Sequence, residues 1–464
     1  MKKLILAIGL SLCILTYNSI SAFASPVSGN VETNEIPNWP KGPEINATAA
    51  YLLEANTGVI LYSKNADAHL YPASTTKMMT ALLAAENCEM DEIVSFSHDA
   101  VFSLEEGSSS IGIDPGESMP MEECLYGIMV GSANEVANAI GEHISGSMDA
   151  FVDLMNQRAA ELGCADTHFC NTNGLHNDEH YTSAHDLAVI AREFFNNDKL
   201  STVGNTAIHH FEATSTQPDD FYVKNKHKLI NGEIPYTGIK GGKTGYTSAA
   251  NETLVTCAEQ NGMRLICVIL EEDSPDQFND TVKLFDYGFS NFVTANISAN
   301  ETKYAIKSTN FFPTNYDILG NSKQLLTLNK DNYIIMPANL TFNKLESVVS
   351  YSTSSPSEVV QITYSYHGAY LGYGVVNRVS DTPEVSVFDS SLTSSSEEVT
   401  ENNNSPVFIN VINIAVLTVA VALFGIIISC IVSVFTNYNI LENIRSGRRD
   451  RRRRSRRNHS DFRF

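Results

Sequence analysis

Basic residues are scarce over most of this chain, and their scarcity excludes some classes of partner. The 464-residue sequence has a net charge of −22, and between Ser25 and Pro406 only 19 Lys and Arg stand against 50 Asp and Glu. A surface this acidic repels nucleic acid, so we expect no nucleic-acid partner. None of the eight cysteines forms a pair with the spacing of a zinc module, and we expect no metal and no organic cofactor.

Cysteine is also too sparse to indicate a disulfide framework. Six cysteines lie outside the apolar terminal segments: Cys88, Cys124, Cys164, Cys170, Cys257 and Cys267. An even number permits disulfides outside the cell. However, Leu254–Gln260 and Met263–Leu270 predict a hairpin that sets Cys257 opposite Ile266. Cys257 and Cys267 then point to opposite faces, so we expect buried free thiols.

The first 24 residues have the layout of a secretory signal peptide. Two lysines follow Met1, an apolar stretch runs from Leu4 to Tyr17, and Ala22-Phe23-Ala24 fits a cleavage site between small residues. We therefore expect the mature chain to begin at Ser25, outside the cytoplasm.

A second apolar stretch, Ile414–Phe435, contains 22 residues and no charge. As a helix it would extend about 33 Å, enough to cross the hydrocarbon core. The arginine-rich residues Arg445–Arg457 follow, and such positive charge stays on the cytoplasmic side. The sequence predicts a cell-membrane protein with one C-terminal span (407–435), an extracellular catalytic part and a cytoplasmic basic tail (436–464).

The residues between these ends divide by composition. Residues 25–45 are rich in Pro, Asn and Gly and predict a loose leader. Residues 46–292 read as strands, then helices, then strands, which indicates one α+β domain whose sheet draws on both chain ends. Residues 293–379 predict a small all-β domain, and the acidic, Ser-rich residues 380–406 predict a disordered stalk. The strands predicted for the all-β domain are Tyr304–Lys307, Tyr333–Met336, Glu346–Ser352, Val359–Tyr366 and Ala369–Val376.

Ser74 and Lys77 carry the first chemical motif, Ser74-Thr75-Thr76-Lys77. Three residues apart at a predicted helix start, their side chains share one face. A serine hydroxyl needs an adjacent base to act as a nucleophile. A lysine amine is a base only when neutral, which burial or a nearby cation such as Lys243 can achieve. Alone, the tetrapeptide is also typical of a helix-capping serine before a surface lysine.

Two further motifs follow in the chain. Ser132-Ala133-Asn134 lies within the predicted helical segment Met121–His143, where Ser132 can relay a proton and Asn134 can bond a substrate amide or fix the lysine base. Lys243-Thr244-Gly245 precedes strand residues and suits a substrate carboxylate, with Gly245 admitting substrate close to the backbone. The N–H of Tyr246 can serve as an oxyanion donor. Read singly, these motifs equally describe small-residue helix packing and a turn that enters a strand.

Together and in this order, the three motifs resemble the signature of penicillin-binding proteins and serine β-lactamases. The segment Tyr71–Thr80 is similar to the nucleophile segment of serine D-alanyl-D-alanine carboxypeptidases. Four other segments are similar to that family: Gly107–Ser110, Asp114–Glu117, Asn173–Leu175 and His180–Ala184. The resemblance covers about residues 46–292, and over the all-β segment it rests on domain order.

The resemblance implies a penicillin-binding-protein/serine β-lactamase-like α+β catalytic domain that removes the terminal D-Ala of peptidoglycan stem peptides. Ser74 would attack the penultimate carbonyl, Lys77 would be its base, and Ser132 would return a proton. The expected substrate-binding residues are Asn134, Lys243, Thr244, Gly245 and Tyr246. The implied partners are stem peptides ending in D-Ala-D-Ala, and β-lactams as inhibitors.

Three alternative functions are also compatible with the sequence. A β-lactamase would use the same motifs, although it has little need of an all-β domain, a stalk and a span. A receptor would acylate with little turnover, but the short tail contains no recognisable output domain. A structural wall-binding protein with a dead site would not need all three motifs intact.

Overall fold

The computed structural model describes residues 32–105, 107–304, 326–351 and 358–378. Contacts divide the chain into two units, Met1–Thr382 and Pro383–Phe464, and every described residue lies in the first. The predicted signal peptide (1–24), stalk (380–406), span (407–435) and basic tail (436–464) lie outside the described residues. Within the four described ranges, no helix combines the length and apolar composition that crossing a membrane requires.

A five-stranded antiparallel sheet lies at the centre of residues 46–292. Its strand order is β2-β1-β9-β8-β7. The strands are β1 (Ala49–Glu54), β2 (Ile60–Lys64), β7 (Ile239–Thr247), β8 (Asn251–Gln260) and β9 (Met263–Glu272). β1 pairs with β9, so the sheet joins the two ends of the domain, as predicted. β7 is an edge strand, which leaves one side of its backbone without a partner in this sheet.

Helices from the middle of the chain pack on one face of this sheet. They are α1 (Lys77–Asn87), α2 (His98–Phe102), α3 (Met121–Met129), α4 (Asn134–Ser145), α5 (Met148–Glu161), α6 (Ala184–Asn196) and α7 (Asp198–Gly204). The short pairs β3 (Ile93–Ser95) with β4 (Ser118–Pro120), and β5 (Ile208–Phe211) with β6 (Phe221–Lys224), flank them. The core between helices and sheet includes the fully buried Met78, Leu125, Ile140 and Val268.

Strands dominate the described residues after 292, as the composition predicts. α8 (Asp276–Asn291) leads into β10 (Phe292–Asn296), α9 (Ile297–Asn300), β11 (Leu326–Leu328), β12 (Tyr333–Pro337), β13 (Glu346–Ser350), β14 (Glu358–Tyr366) and β15 (Ala369–Arg378). β11-β15-β14-β13 form one sheet and β10 pairs with β12. Four of the five predicted strands are present in the structure. The remaining one, Tyr304–Lys307, lies mostly outside the described residues.

The leader is not loose where the structure describes it. Residues 32–45 include a 3-10 turn, Thr33–Glu35, and bury Ile36 and Trp39 in a second core shared with α8 and the later strands. The Trp39 indole N–H donates to the Leu61 carbonyl at 3.1 Å. The prediction from composition was wrong here because two large apolar side chains outweigh many polar neighbours.

The hairpin of β8 and β9 has the predicted register. Gln260 pairs with Met263, and Cys257 lies opposite Ile266. Cys257 and Cys267 lie in different cores, on opposite faces of the sheet as predicted. All six cysteines of the described residues are free thiols, but Cys88 and Cys170 are half-buried, not buried as we expected.

Candidate active site

Ser74 lies in a 3-10 turn, Ala73–Thr76, that leads directly into α1. We expected Ser74 to open the α-helix itself, but the helix begins at Lys77. The tight turn starts at Ala73, whose φ of 49° is uncommon for a residue with a side chain. The Pro72 carbonyl accepts hydrogen bonds from the hydroxyls of Thr75 (2.6 Å) and of Thr253 on β8 (2.9 Å). These bonds fix the turn against the sheet.

Lys77 is fully buried beneath this turn. Its Nζ lies 3.1 Å from Ser74 Oγ, 2.6 Å from Asn134 Oδ1 and 2.6 Å from the Asn173 carbonyl oxygen. Burial is the largest cause that lowers the pKa of Lys77 well below its usual value, and the neighbouring Lys243 lowers it further. A neutral amine has two hydrogens and one lone pair. The amide and carbonyl oxygens take the hydrogens, so the lone pair is left for the Ser74 hydroxyl.

Ser132 lies at a break between two helices, not within one. The sequence predicted a single helical segment, Met121–His143, in which residues 131–141 are mostly small. The structure ends α3 at Met129 and starts α4 at Asn134, with Ser132 at φ 60° between them. Such a conformation persists only where surrounding contacts over-determine it. It places Asn134 at the helix start beside Lys77 and leaves Ser132 facing β7.

Lys243 on β7 forms a hydrogen-bonded pair with Ser132. Its Nζ contacts Ser132 Oγ at 3.0 Å and the Thr244 carbonyl at 2.9 Å. Only 2% of the residue is exposed, and burial, followed by the charge of Lys226, lowers the pKa of Lys243 to about 7. The structure therefore joins Ser74, Lys77 and Asn134 in one hydrogen-bonded group, and Ser132 with Lys243 in another.

Two glycines keep the nucleophile turn in place. A Cβ on Gly245 would lie 2.3 Å from Thr253 Oγ1 and 2.8 Å from the Ser74 nitrogen. A Cβ on Gly174, at φ 88°, would lie 1.8 Å from the Ala73 carbonyl oxygen. We expected Gly245 to admit substrate. That role stays a prediction, and the structure adds that a side chain at this position would cover the Ser74 N–H.

Thr244 and Tyr246 follow the strand outward from Lys243. Thr244 is half-buried, and its carbonyl receives the Lys243 bond. The Tyr246 side chain is 65% exposed. The Tyr246 side chain therefore lies outside the buried lysine group, and the oxyanion role of its N–H stays a prediction.

Three residues of the site had no assigned role in the sequence. The Asn173 carbonyl is a backbone acceptor, which no residue type indicates. Glu135 is buried and accepts hydrogen bonds from the Ser110 hydroxyl (2.8 Å) and the Ile111 N–H (2.7 Å). The exposed Lys226 reaches Ser109 Oγ at 3.3 Å. Of these three residues, only Glu135 is indicated by the sequence, because its carboxylate directly follows the Ser132-Ala133-Asn134 motif.

His180 supports the site without titrating near neutral pH. The Cys170 N–H donates to His180 Nδ1 at 2.9 Å, so Nε2 carries the proton and donates to the Thr76 hydroxyl at 2.8 Å. Burial lowers the pKa of His180 to about 3. Its role is to hold the nucleophile turn, which agrees with the structural role that the sequence favours.

A cavity of about 570 Å³ opens beside these groups. Its lining includes Ser109, Ser110, Ile111, Gly131, Val223 and Lys226. It therefore lies between the loop that Glu135 holds and the β6 segment, next to the break that carries Ser132. Its polar and apolar lining suits a peptide rather than a purely apolar ligand.

Comparison with protein families gives one matching model, described as D-alanyl-D-alanine carboxypeptidase, over residues 36–274. The match begins at the anchored leader and ends just after β9. It therefore covers every residue of the site.

Three individual proteins illustrate the similarity. The chain is 34% identical over 301 residues to D-alanyl-D-alanine carboxypeptidase DacF of Bacillus subtilis, which covers 63% of this chain and 72% of the relative. The crystal structure of D-alanyl-D-alanine carboxypeptidase from Mycobacterium tuberculosis matches with a TM-score of 0.51 at 27% identity, covering 56% of this chain and 96% of that one. Penicillin binding protein 6B from Escherichia coli matches in fold, with a TM-score of 0.55 at 24% identity and coverage of 75% and 98%.

Proposed function

This chain belongs to the D-alanyl-D-alanine carboxypeptidase family and has its penicillin-binding-protein-like α+β catalytic domain, and we propose that Ser74, Lys77 and Ser132 carry its chemistry. It is a serine D,D-carboxypeptidase that removes the terminal D-Ala from peptidoglycan stem peptides through an acyl-enzyme and binds penicillin. The observation that carries the assignment is the buried Lys77 amine, which has two oxygen acceptors and Ser74 Oγ as its three partners. That arrangement makes the lysine a base and the serine a nucleophile.

Acylation begins when Lys77 takes the proton of the Ser74 hydroxyl across 3.1 Å. Ser74 Oγ then attacks the carbonyl carbon of the penultimate residue. The bond to the terminal D-alanine breaks, and its amine leaves with a proton. The same attack on a β-lactam carbonyl opens the ring, and the leaving amine stays attached to the enzyme.

The substrate carboxylate is held by Lys243, with Lys226 close by. Lys243 is buried beside Ser132, and Lys226 adds a further positive charge nearby. A carboxylate that binds Lys243 stabilises its protonated form, which burial disfavours. Thr244 supplies a hydroxyl on the same strand. The free edge of β7 lets the peptide backbone lie alongside as an added strand.

The oxyanion is stabilised by the Ser74 and Tyr246 N–H groups. Gly245 lies between these residues and leaves the Ser74 N–H uncovered. Losing one such donor typically costs roughly 10²- to 10³-fold in rate.

Ser132 lies beside Lys243, whose Nζ contacts the Ser132 hydroxyl, and it is two residues from Asn134, which contacts Lys77. It passes the proton to the departing D-alanine amine. Water then hydrolyses the acyl-enzyme, and Lys77 is again available as the base for the attacking water.

Release of D-alanine from diacetyl-Lys-D-Ala-D-Ala by the full-length chain, with and without benzylpenicillin, tests this function. Steady release that penicillin blocks is the expected result. Stable penicillin labelling without release would instead support a receptor, and rapid penicillin destruction would support a β-lactamase.

Removing the charge of Lys226 should shift the pH dependence of acylation. Lys226 lowers the pKa of both Lys77 and Lys243. In Lys226→Gln both pKa values rise, so Lys77 stays protonated, and unable to act as a base, up to a higher pH. We expect the ascending limb of the acylation rate against pH to move to higher pH, measured with a fluorescent penicillin.

Lys224→Gln is the matched control, because Lys224 pairs with Glu233 at 2.7 Å and contributes to neither lysine's shift. Its pH profile should match the wild type. Added salt should screen Lys226 and narrow the difference between wild type and Lys226→Gln. An unmoved or acid-shifted limb in Lys226→Gln would contradict the assignment of Lys77 as the base.

We also propose that the catalytic residues face the cell exterior and that Ile414–Phe435 anchors the chain. The support is the sequence alone: a signal-peptide layout, a long uncharged apolar stretch and the arginines that follow it. A membrane-impermeant fluorescent penicillin should label Ser74 in intact cells. Labelling that requires cell lysis would overturn the orientation.

A further inference from the structure

Three potential metal ligands of different kinds lie close together near the C-terminal ends of α1 and α4. Cys88 Sγ, a Glu92 carboxylate oxygen and a His143 ring nitrogen all lie within 4.8 Å of one another. His143 Nε2 is 3.1 Å from Glu92 Oε2. Among the residues that the structure describes, no other group of three such side chains is this close.

The fold places these side chains at the ends of two helices. Cys88 follows the last residue of α1 as its C-cap, and its N–H donates to the Ala84 carbonyl. His143 lies in the last turn of α4. Glu92 precedes β3, and its Oε1 accepts the Glu89 N–H at 2.6 Å, which orients the carboxylate and leaves Oε2 towards His143.

Zinc suits this set better than calcium or magnesium. Zinc takes thiolate sulfur at about 2.3 Å, imidazole nitrogen at about 2.0 Å and carboxylate oxygen at about 2.0–2.2 Å, in tetrahedral geometry. Calcium and magnesium prefer oxygen ligands throughout. Helix C-termini carry partial negative charge, so the ends of α1 and α4 also favour a cation. The Nε2–Oε2 distance already fits two ligands of one tetrahedral ion.

We propose that Cys88, Glu92 and His143 bind one zinc ion, with water as the fourth ligand. Binding forms the Zn–S bond with loss of the Cys88 thiol proton to solvent, and His143 binds as neutral imidazole. The spacing of these residues along the chain matches no zinc module, because His143 comes from a separate helix.

The ion would join the far ends of the two helices that build the catalytic centre. α1 begins with Lys77 and α4 begins with Asn134, and these two residues are joined at 2.6 Å. His143 follows Asn134 by nine positions on the same helix, about 14 Å of axial rise. The zinc is therefore too distant to touch substrate. Its effect is to stabilise the helix pair, independently of the proposed catalytic roles.

Cobalt spectroscopy of the full-length chain in mild detergent tests the site. After chelation, Co²⁺ is added and the thiolate-to-cobalt charge-transfer band in the near ultraviolet is titrated, then displaced with Zn²⁺. We expect one Co²⁺ per chain, and a higher melting temperature with Zn²⁺ than with chelator. Cys88→Ser should abolish the band. His143→Gln should weaken binding about 100-fold or more, since even loss of an outer partner costs about 10- to 100-fold.

Cys170→Ser is the matched control. Cys170 is also a half-buried thiol beside a histidine, with Sγ 3.6 Å from His168 Nδ1, but it belongs to no three-ligand group. It should keep the band and the thermal shift. Penicillin labelling of every variant shows that it is folded. The proposal would be overturned if the wild-type protein is labelled by penicillin but shows no thiolate-to-cobalt band. It would also be overturned if the band persists in Cys88→Ser.

Discussion

Ser74→Ala should release D-alanine and bind penicillin on the order of 10⁶-fold more slowly than the wild type, the scale seen when a serine peptidase loses its nucleophile. The substitution removes only the oxygen that lies 3.1 Å from Lys77 Nζ. Ser74 is half-exposed, and its hydroxyl accepts no capping hydrogen bond from an N–H at the start of α1, so the fold should tolerate the change. Mass spectrometry of the penicillin adduct and D-alanine release are the two measurements.

Ser147→Ala is the control for a serine that the chain uses only for structure. Its hydroxyl accepts the Ala150 N–H at the start of α5, and losing such a cap costs about 1 kcal/mol of stability. Its labelling should equal the wild type. An adduct that persists in Ser74→Ala would refute the assignment of the nucleophile.

Lys77→Gln should slow acylation by about 10²- to 10⁴-fold, the usual contribution of a general base. Glutamine can still bond Asn134 and the Asn173 carbonyl, but its amide nitrogen has no basic lone pair. Lys77→Arg separates the two properties of lysine, because arginine keeps the charge and stays protonated. We expect no rescue by arginine. The rate of penicillin acylation under single-turnover conditions measures both variants.

Lys199→Gln provides the matched lysine substitution. Lys199 is partly exposed and pairs with Glu122 at 2.7 Å, and exposed pairs contribute about 0–1 kcal/mol. Its acylation rate should not change. Near-wild-type acylation by Lys77→Arg would show that a positive charge, not a base, is what Ser74 requires.

The sequence predicted those parts of the site that depend on residue type. The structure brings the residues of the three motifs together. Lys77 contacts Ser74 and Asn134, and Lys243 contacts Ser132. The register of the β8–β9 hairpin followed from its two-residue turn and the alternation of side chains.

What the sequence did not reveal depends on the backbone and on tertiary contacts. The helix break at Ser132 was hidden because small residues read as helix, while a φ of 60° is fixed by packing. The Asn173 carbonyl is a main-chain group from a loop, and any residue type would supply it. Trp39 anchors the leader against a surface that forms only when the sheet is complete.

The pairing of β1 with β9 also bears on when the enzyme becomes able to react during its synthesis. Ala49 pairs with Leu270, and Lys243 comes from the strand that closes the opposite edge of the same sheet. Contacts between residues so distant in the chain form late, since loop closure must precede them. A growing polypeptide thus carries Ser74 long before Lys243 is available to lower the pKa of its base, so the nucleophile should stay inert towards substrate and antibiotic until synthesis has passed the last strand.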